Sequence, residues 1–158
     1  MESPQPKSRL FQINASTGGV PKLACLEVEV TTLGLANDRQ RNLKVHGGPE
    51  RALCLYSLER ILQLQAEGHP IFPGAAGENL TLSGLDWDAL LPGSRLRIGE
   101  QVLIELTRYT VPCNALVSFF IDKDFSRIHQ EKHPGWARYY ARVLETGWIK
   151  VGDLVQIV

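Results

Sequence analysis

The sequence lacks any apolar run long enough to cross a bilayer. Its first segment, MESPQPKSRL, also lacks the apolar core of a signal peptide. Neither sign of charge is in excess, because 17 Lys and Arg residues balance 17 Asp and Glu residues. The chain therefore has no basic field to draw it to a nucleic-acid backbone, although a local basic patch for a small phosphorylated ligand is compatible with this balance. These absences predict a cytoplasmic protein with no membrane or nucleic-acid partner.

Several familiar catalytic and metal-binding motifs are also missing. The sequence has no GxGxxG, P-loop, GxSxG, CxxC or HExxH pattern. His129 and His133 have the i, i+4 spacing of a metal-binding pair, but Pro134 follows directly. A solvated helix face is therefore a better interpretation of this pair than a zinc site.

Cysteine is scarce, and its three positions differ in context. An odd number of cysteines in a reducing compartment indicates free thiols. Cys25 and Cys54 lie within apolar runs, where a thiol usually serves as a small core side chain. Cys113 instead follows Pro112 in a polar turn at the end of a predicted strand. A thiol in that position is either an incidental surface cysteine or an exposed nucleophile, sulfur carrier or soft metal ligand.

What the sequence does contain is a series of short segments with β-type alternation, separated by Gly, Pro or Asp. A short helix is predicted after Ser57, because serine suits an N-cap and apolar residues follow at helical spacing. We therefore predict a mainly β fold with one or two short helices and a closed or half-closed barrel. Residues 1–10 are expected to form a flexible N-terminal tail and residues 11–158 a single domain. The predicted strands are Phe11 to Asn14, Cys25 to Thr32, Arg51 to Ser57, NLTL, RLRIG, QVLIELT and KVGDLVQIV.

Three glycine-rich loops carry charged residues that stand out from this pattern. Adjacent glycines allow a backbone to approach a ligand and to direct its N–H groups at an anion. Lysine and arginine beside them complement phosphate or carboxylate. Any one loop alone indicates only a tight turn, but three such loops in one small domain predict a binding site. Its candidate residues are Lys22 in GGVPK; Arg39, His46, Gly47, Gly48 and Arg51 in NDRQRNLKVHGGPER; and Glu78 and Asn79 in GAAGEN.

Together, the loops and the cysteine resemble the MOSC domain family, named for the C-terminal region of molybdenum-cofactor sulfurase. The resemblance rests on HGGPERAL, then GENLT and then the Pro-Cys pair, in that order. It covers nearly the whole chain from Ala15 onward, and the part between Val117 and Pro134 matches least well. Other matching segments are GGVPK, GLANDRQRN, LPGSRLRIGE, TVPCNAL and YARVLETGWIKVGDLVQI.

The resemblance implies a β-rich fold with a barrel core, and a cysteine, Cys113 here, that carries sulfur or binds molybdenum. In related reductases of N-hydroxylated bases, that thiolate ligates the metal of a pterin-type molybdenum cofactor. Lys22, Arg39 and Arg51 would then receive the anionic cofactor, helped by the backbone N–H groups of the Gly47-Gly48 pair. The remaining candidates are His46, which would either contact substrate or support its loop, and Glu78 and Asn79, which would brace theirs.

Two functions follow from the resemblance. As a reductase, the protein would need a separate electron donor, because the sequence carries no flavin or iron–sulfur module. As a sulfur carrier or delivery module, it would accept persulfide sulfur on Cys113 from a separate pyridoxal-phosphate-dependent desulfurase. A third interpretation, a degenerate scaffold without cofactor, is weakened by the presence of Cys113. The residues do not discriminate between reductase and carrier, and they specify neither the substrate nor the oligomeric state.

Overall fold

The framework of the protein is a set of short strands, seen in a computed structural model that describes residues 7–38 and 48–158. Within those residues the strands are β1 (Arg9–Ala15), β2 (Leu23–Cys25), β3 (Glu27–Thr31), β4 (Gly34–Leu35), β5 (Leu53–Ser57), β6 (Leu80–Ser83), β7 (Arg95–Ile98), β8 (Val102–Thr110), β9 (Arg138–Glu145), β10 (Gly147–Lys150) and β11 (Val155–Ile157). They form an eight-stranded sheet in the order β11-β7-β8-β9-β5-β6-β1-β2 and a three-stranded sheet in the order β10-β3-β4. The predicted mainly β fold is confirmed.

One α-helix, α1 (Leu58–Ala66), is found among the described residues. It begins where the sequence predicts, because the Ser57 hydroxyl oxygen accepts a hydrogen bond from the Arg60 backbone N–H at 3.1 Å. Ile61 and Leu64 bury its apolar face against the core. The helix connects β5 to β6, which are parallel neighbours and so require such a crossover. Short 3₁₀ helices cover Pro49–Arg51, Trp87–Ala89, Asn114–Phe119, Ile121–Lys123 and Phe125–Ile128.

The larger sheet curls until the start of β1, the strand next to one edge, approaches β11 at the other edge. The backbone N–H of Leu10 in β1 donates to the carbonyl oxygen of Asp153 at 2.9 Å, and its carbonyl accepts from the N–H of Gly152 at 2.8 Å. The Val155 N–H of β11 donates to the carbonyl oxygen of Ser8 at 3.0 Å. These contacts join the start of β1 to the residues that precede β11. No continuous ladder closes the larger sheet within the described residues, so the closed form of the predicted barrel is not observed there.

The structure departs from the predicted strands at several places. The predicted strand KVGDLVQIV is divided, because β10 ends at Lys150 in the smaller sheet and β11 starts at Val155 in the larger one, and β5 begins at Leu53 rather than at Arg51.

The segment Cys25 to Thr32 is not one strand, because β2 ends at Cys25 and β3 starts at Glu27 in the other sheet. Between them Leu26 is exposed, and its carbonyl accepts from the distant Val151 N–H at 2.9 Å. The strand β1 begins at Arg9, inside the predicted tail, since Leu10 is fully buried in the core.

In the described parts of the chain, no helix is long and apolar enough to span a membrane. The hydrophobic core draws side chains from both sheets and from α1. It therefore fixes the ends of β5, β8 and β9, which carry the candidate site.

Candidate functional site

Cys113 lies just beyond the C-terminal end of β8, where its side chain is exposed. It precedes the 3₁₀ helix Asn114–Phe119, and its carbonyl accepts a hydrogen bond from the Leu116 N–H at 3.0 Å. Cys54 is buried, as its apolar context predicts, whereas Cys25 is only partly buried. All three thiols are free. Cys113 is therefore the cysteine that a ligand or a partner protein can reach.

A buried polar layer lies at the same end of the sheet. Thr110 is paired with Arg138 across β8 and β9, and Cys54 is paired with Tyr140 across β5 and β9. Because alternate residues of a strand share a face, these side chains lie on one side of the sheet. The Cys54 sulfur and the Thr110 hydroxyl oxygen are 3.7 Å apart. Burial raises the pKa of the Cys54 thiol, with Arg138 opposing the shift, so this thiol stays protonated.

Arg138 is the most important residue that sequence reasoning missed. Its side chain is buried, and its Nη1 donates to the carbonyl oxygen of Ala76 in the GAAGEN loop. Its Nε has no hydrogen-bond partner within the described residues. A buried guanidinium with a spare donor is suited to an anion or another strong acceptor. The run RYYARVLE gave no signal, because only the strand register shows that this arginine points inward.

Arg51 and Cys113 border this layer at Tyr140. The Arg51 guanidinium lies over the Tyr140 ring, 5.8 Å from its centroid. Burial raises the pKa of Tyr140, and the nearby thiols Cys54 and Cys113 act in the same direction. The charges of Arg138 and Arg51 oppose that shift. The structure therefore brings the predicted residues Arg51 and Cys113 together with the unpredicted Arg138.

Lys22 forms a buried ion pair. Its Nζ is 2.6 Å from Oδ1 of Asp38, and the two side chains are 8% and 2% exposed. The other carboxylate oxygen of Asp38 accepts from the Asn79 side-chain amide at 2.8 Å. The Lys22 ammonium thus neutralises a carboxylate of the protein before it meets any ligand. We call Lys22, Asp38 and Asn79 the loop clamp, because each belongs to a different one of the three glycine-rich loops.

The first and third loops also meet through their backbones. The Lys22 N–H donates to the carbonyl oxygen of Gly74 at 2.9 Å. A Cβ at Gly74 would lie 2.4 Å from the Lys22 carbonyl oxygen, and the φ of +92° also favours glycine. Asn79 then ties this loop to the sheet, since its side-chain oxygen accepts from the Cys54 N–H at 2.9 Å and its own N–H donates to the Cys54 carbonyl at 2.7 Å.

Glu78 is fully buried beside the clamp. One carboxylate oxygen accepts from the Thr81 hydroxyl at 3.1 Å. Burial raises the pKa of Glu78 to about 7, although the hydrogen bond from Thr81 and the charge of Arg138 oppose the shift. Near neutral pH this carboxyl group therefore exists in both protonation states.

The remaining predicted residues belong to the second loop. Gly48 precedes the 3₁₀ helix Pro49–Arg51 with a φ of 91°, and its carbonyl accepts from the Arg51 N–H at 3.1 Å. Arg39, His46 and Gly47 lie outside the described residues. Across the described residues, no group of three or more His, Cys, Asp or Glu side chains is placed to hold a metal ion.

The chain is similar in sequence to one protein family and to several known proteins. Residues 42–156 match the MOSC domain family. The chain is 36% identical over 115 residues to protein YiiM of Escherichia coli, covering 70% of this chain and 51% of that protein. It is 32% identical over 117 residues to a protein named reductase of Gibberella moniliformis, covering 72% of this chain and 20% of that protein.

The fold itself has a close counterpart among solved structures. The crystal structure of YiiM from Geobacillus stearothermophilus has a TM-score of 0.71 at 24% identity, covering 96% of this chain and 75% of that one. This likeness shows the shared fold. The chain spans about half the length of the curated E. coli relative, at 51%.

Proposed function

Because the chain belongs to the MOSC domain family, we propose that it binds a pterin-type molybdenum cofactor, with Cys113 as the protein ligand to the metal. We further propose that it reduces N-hydroxylated substrates with electrons from a separate donor. The observation that carries the proposal is the exposed Cys113 thiol at the end of β8, beside a layer that contains Arg51 and the buried Arg138.

The residues present fit such a cofactor. A thiolate is a soft ligand and suits a thiophilic metal. The guanidinium groups of Arg51 and Arg138 supply positive charge for an anionic group. The Nε of Arg138 is a buried hydrogen-bond donor with no acceptor among the described residues. The loop clamp holds the three loops in fixed relation to one another. When bound, the cofactor supplies two-electron chemistry, and the protein supplies binding, orientation and electrostatics.

Reduction is favoured over simple binding by one of the relatives. The Gibberella moniliformis relative is named a reductase, and the matched region accounts for 20% of it. Conversion of an N–OH group to N–H consumes two electrons and two protons and releases water. The donor must therefore supply two electrons, together or in two single-electron steps, and the chain's own residues need only admit the substrate next to Cys113.

The exposure of Cys113 also favours a second function, sulfur transfer. In that case a desulfurase persulfide gives its terminal sulfur to the Cys113 thiolate, and the donor cysteine leaves as its own thiolate. The charges of Arg51 and Arg138 would then stabilise the anionic persulfide.

One pair of assays tests the proposal and separates the two functions. Protein expressed with abundant cofactor is supplied with benzamidoxime and reduced methyl viologen, and the amidine product is measured. In parallel, the apo protein is incubated with a cysteine desulfurase and cysteine and examined by intact mass spectrometry. We expect amidine from the wild type and none from Cys113→Ala, with Cys25→Ala as the matched control. No amidine, together with a gain of one sulfur on Cys113, would replace the reductase with the carrier.

A further inference from the structure

A cavity of about 250 Å³ opens on the face of β8 and β9 opposite to Arg138. Tyr109 and Tyr139 are directly paired across these strands, as are their neighbours Thr110 and Arg138. Since successive side chains of a strand point to opposite faces, the tyrosines line the cavity on one face while the polar layer near Cys113 occupies the other. The cavity is therefore separate from the candidate cofactor site.

One wall of the cavity is aromatic and held in place. The Tyr139 ring lies 4.9 Å from the Tyr109 ring and 5.3 Å from the Trp87 ring, measured between centroids. The Trp87 indole N–H donates to the carbonyl oxygen of Ala137 at 3.0 Å, and the Tyr139 hydroxyl donates to that of Leu90 at 2.8 Å. Both aromatic side chains are buried and have satisfied polar atoms, so the wall is preformed.

A second part of the lining is also fixed. It consists of Pro134, Gly135 and Ala137, whose small side chains leave the space open, whereas Trp136 of the same segment is not a lining residue. The Arg60 Nε donates to the carbonyl oxygen of Gly135 at 3.0 Å, and the Tyr56 hydroxyl donates to that of Trp136 at 2.6 Å. These hydrogen bonds hold the backbone of this part of the lining in place.

The charge and shape of the lining define what the cavity accepts. The charged side chain among its lining residues is Asp88, which is exposed at the rim and paired with Arg60 at 2.9 Å. An anion would meet this carboxylate, and the neighbouring cation, Arg60, is already engaged by Asp88 and by the Gly135 carbonyl oxygen. Tyr109 is the partly exposed ring of the aromatic wall, backed by the buried Tyr139, and its surface favours a flat aromatic ligand through stacking and edge contacts. An apolar cavity of about 150 Å³ in another protein holds benzene, so a larger cavity has room for one or two fused rings.

We propose that this cavity binds an uncharged planar aromatic or heteroaromatic molecule of one or two fused rings, independently of Cys113. The site goes beyond the proposed reductase function, because its residues lie on the other face of the sheet.

Titration of ¹⁵N-labelled protein with indole tests the proposal, with chemical shifts as the readout. We expect saturable shifts of the Trp87 indole N–H and of the Ala137 and Tyr139 amides. Cyclohexanol, similar in size to a single ring but not planar, and the anion benzoate should each bind at least tenfold more weakly. Equal binding of cyclohexanol or benzoate would overturn the assigned ligand class, and the absence of saturable shifts at these positions would overturn the site.

A pair of matched variants locates the binding. Leu91 lines the cavity and is 61% exposed, so Leu91→Trp should fill the mouth without disturbing the core. Leu62 is 51% exposed on α1 and is not a lining residue, so Leu62→Trp is the control. We expect Leu91→Trp to weaken indole binding at least tenfold, and Leu62→Trp and Cys113→Ala to leave it unchanged. Equal affinity in the two tryptophan variants, or a loss in Cys113→Ala, would contradict the proposal.

Discussion

Glu78 and Arg138 are two buried charged side chains near the candidate site that lack a close ion pair of the kind that joins Lys22 to Asp38 within the described residues. Glu78 is 0% exposed and Arg138 is 5% exposed, and no direct ion pair joins them within the described residues. Burying a charge without a close partner costs free energy, and a carboxyl group avoids that cost by taking up a proton. Glu78 and Arg138 are therefore the residues at which pH and charge substitution should have measurable effects on the folded protein.

The pH dependence of stability should reveal Glu78. Burial raises its pKa from 4.5 to about 7, so the folded state retains a proton that the unfolded chain releases in this window. The group's contribution to stability is therefore full below the unfolded pKa and is lost as pH rises toward 7, by on the order of 3 kcal/mol. We expect Glu78→Gln, which can still accept from Thr81, to remove this fall in urea unfolding curves recorded between pH 4 and 8.

The exposed residue Glu131 provides the control, since Glu131→Gln should leave the pH dependence of unfolding as it is in the wild type. A curve for Glu78→Gln that falls as steeply as that of the wild type would show that another group is responsible.

The charge of Arg138 should be visible in the titration of Glu78. Arg138 lowers the pKa of Glu78, so its removal should raise that pKa further. We expect Arg138→Gln to shift the titration of the Glu78 side-chain carbon to higher pH, as measured by ¹³C NMR on the apo protein. Arg142→Gln, a change of the same kind at a more exposed arginine, should leave it unchanged. An unchanged or lower value in Arg138→Gln would refute the inward placement of this arginine.

At the scale of elements, the loop clamp links three segments that are far apart in the sequence. Asp38 receives the Lys22 ammonium, the Asn79 amide and, at 3.0 Å, the Ser16 N–H. Removing one partner of a buried ion pair leaves the other charge uncompensated, which typically costs about 3–5 kcal/mol. The clamp is thus expected to act as a unit.

A double-mutant cycle measures this coupling. We expect Asp38→Asn alone to lower the free energy of unfolding by about 3 kcal/mol, because Lys22 keeps a buried and uncompensated charge. The double variant Lys22→Met, Asp38→Asn should lose less than the sum of the two single variants. Additive losses in urea unfolding would indicate that the two residues stabilise the loops independently.

Across the whole molecule, features set by neighbouring residues were predictable from the sequence. The alternation of β6, β7 and β8 and the N-cap at Ser57 are local signals, and the structure contains each of them. The bend at Leu26 was not predictable, because it depends on a hydrogen bond from Val151.

Some features of the candidate site were likewise predictable from the sequence, and others were not. The exposure of Cys113 follows from its polar turn after a strand, and the sequence predicted it. The inward placement of Arg138 depends on its register opposite Thr110, and the engagement of Lys22 depends on Asp38, which lies 16 residues away. Site residues that belong to a local motif could thus be predicted from the sequence. Contacts between distant strands and loops could be found only from the structure.

Molybdenum and pterin content tests the central claim most directly. Wild-type protein and Cys113→Ala are purified from cells with abundant cofactor, and both components are quantified per chain. We expect molybdenum and pterin in a constant ratio in the wild type, and loss of the metal in Cys113→Ala, because the thiolate is its protein ligand. Neither component in the wild type, or the same molybdenum content in both proteins, would contradict a cofactor held by Cys113.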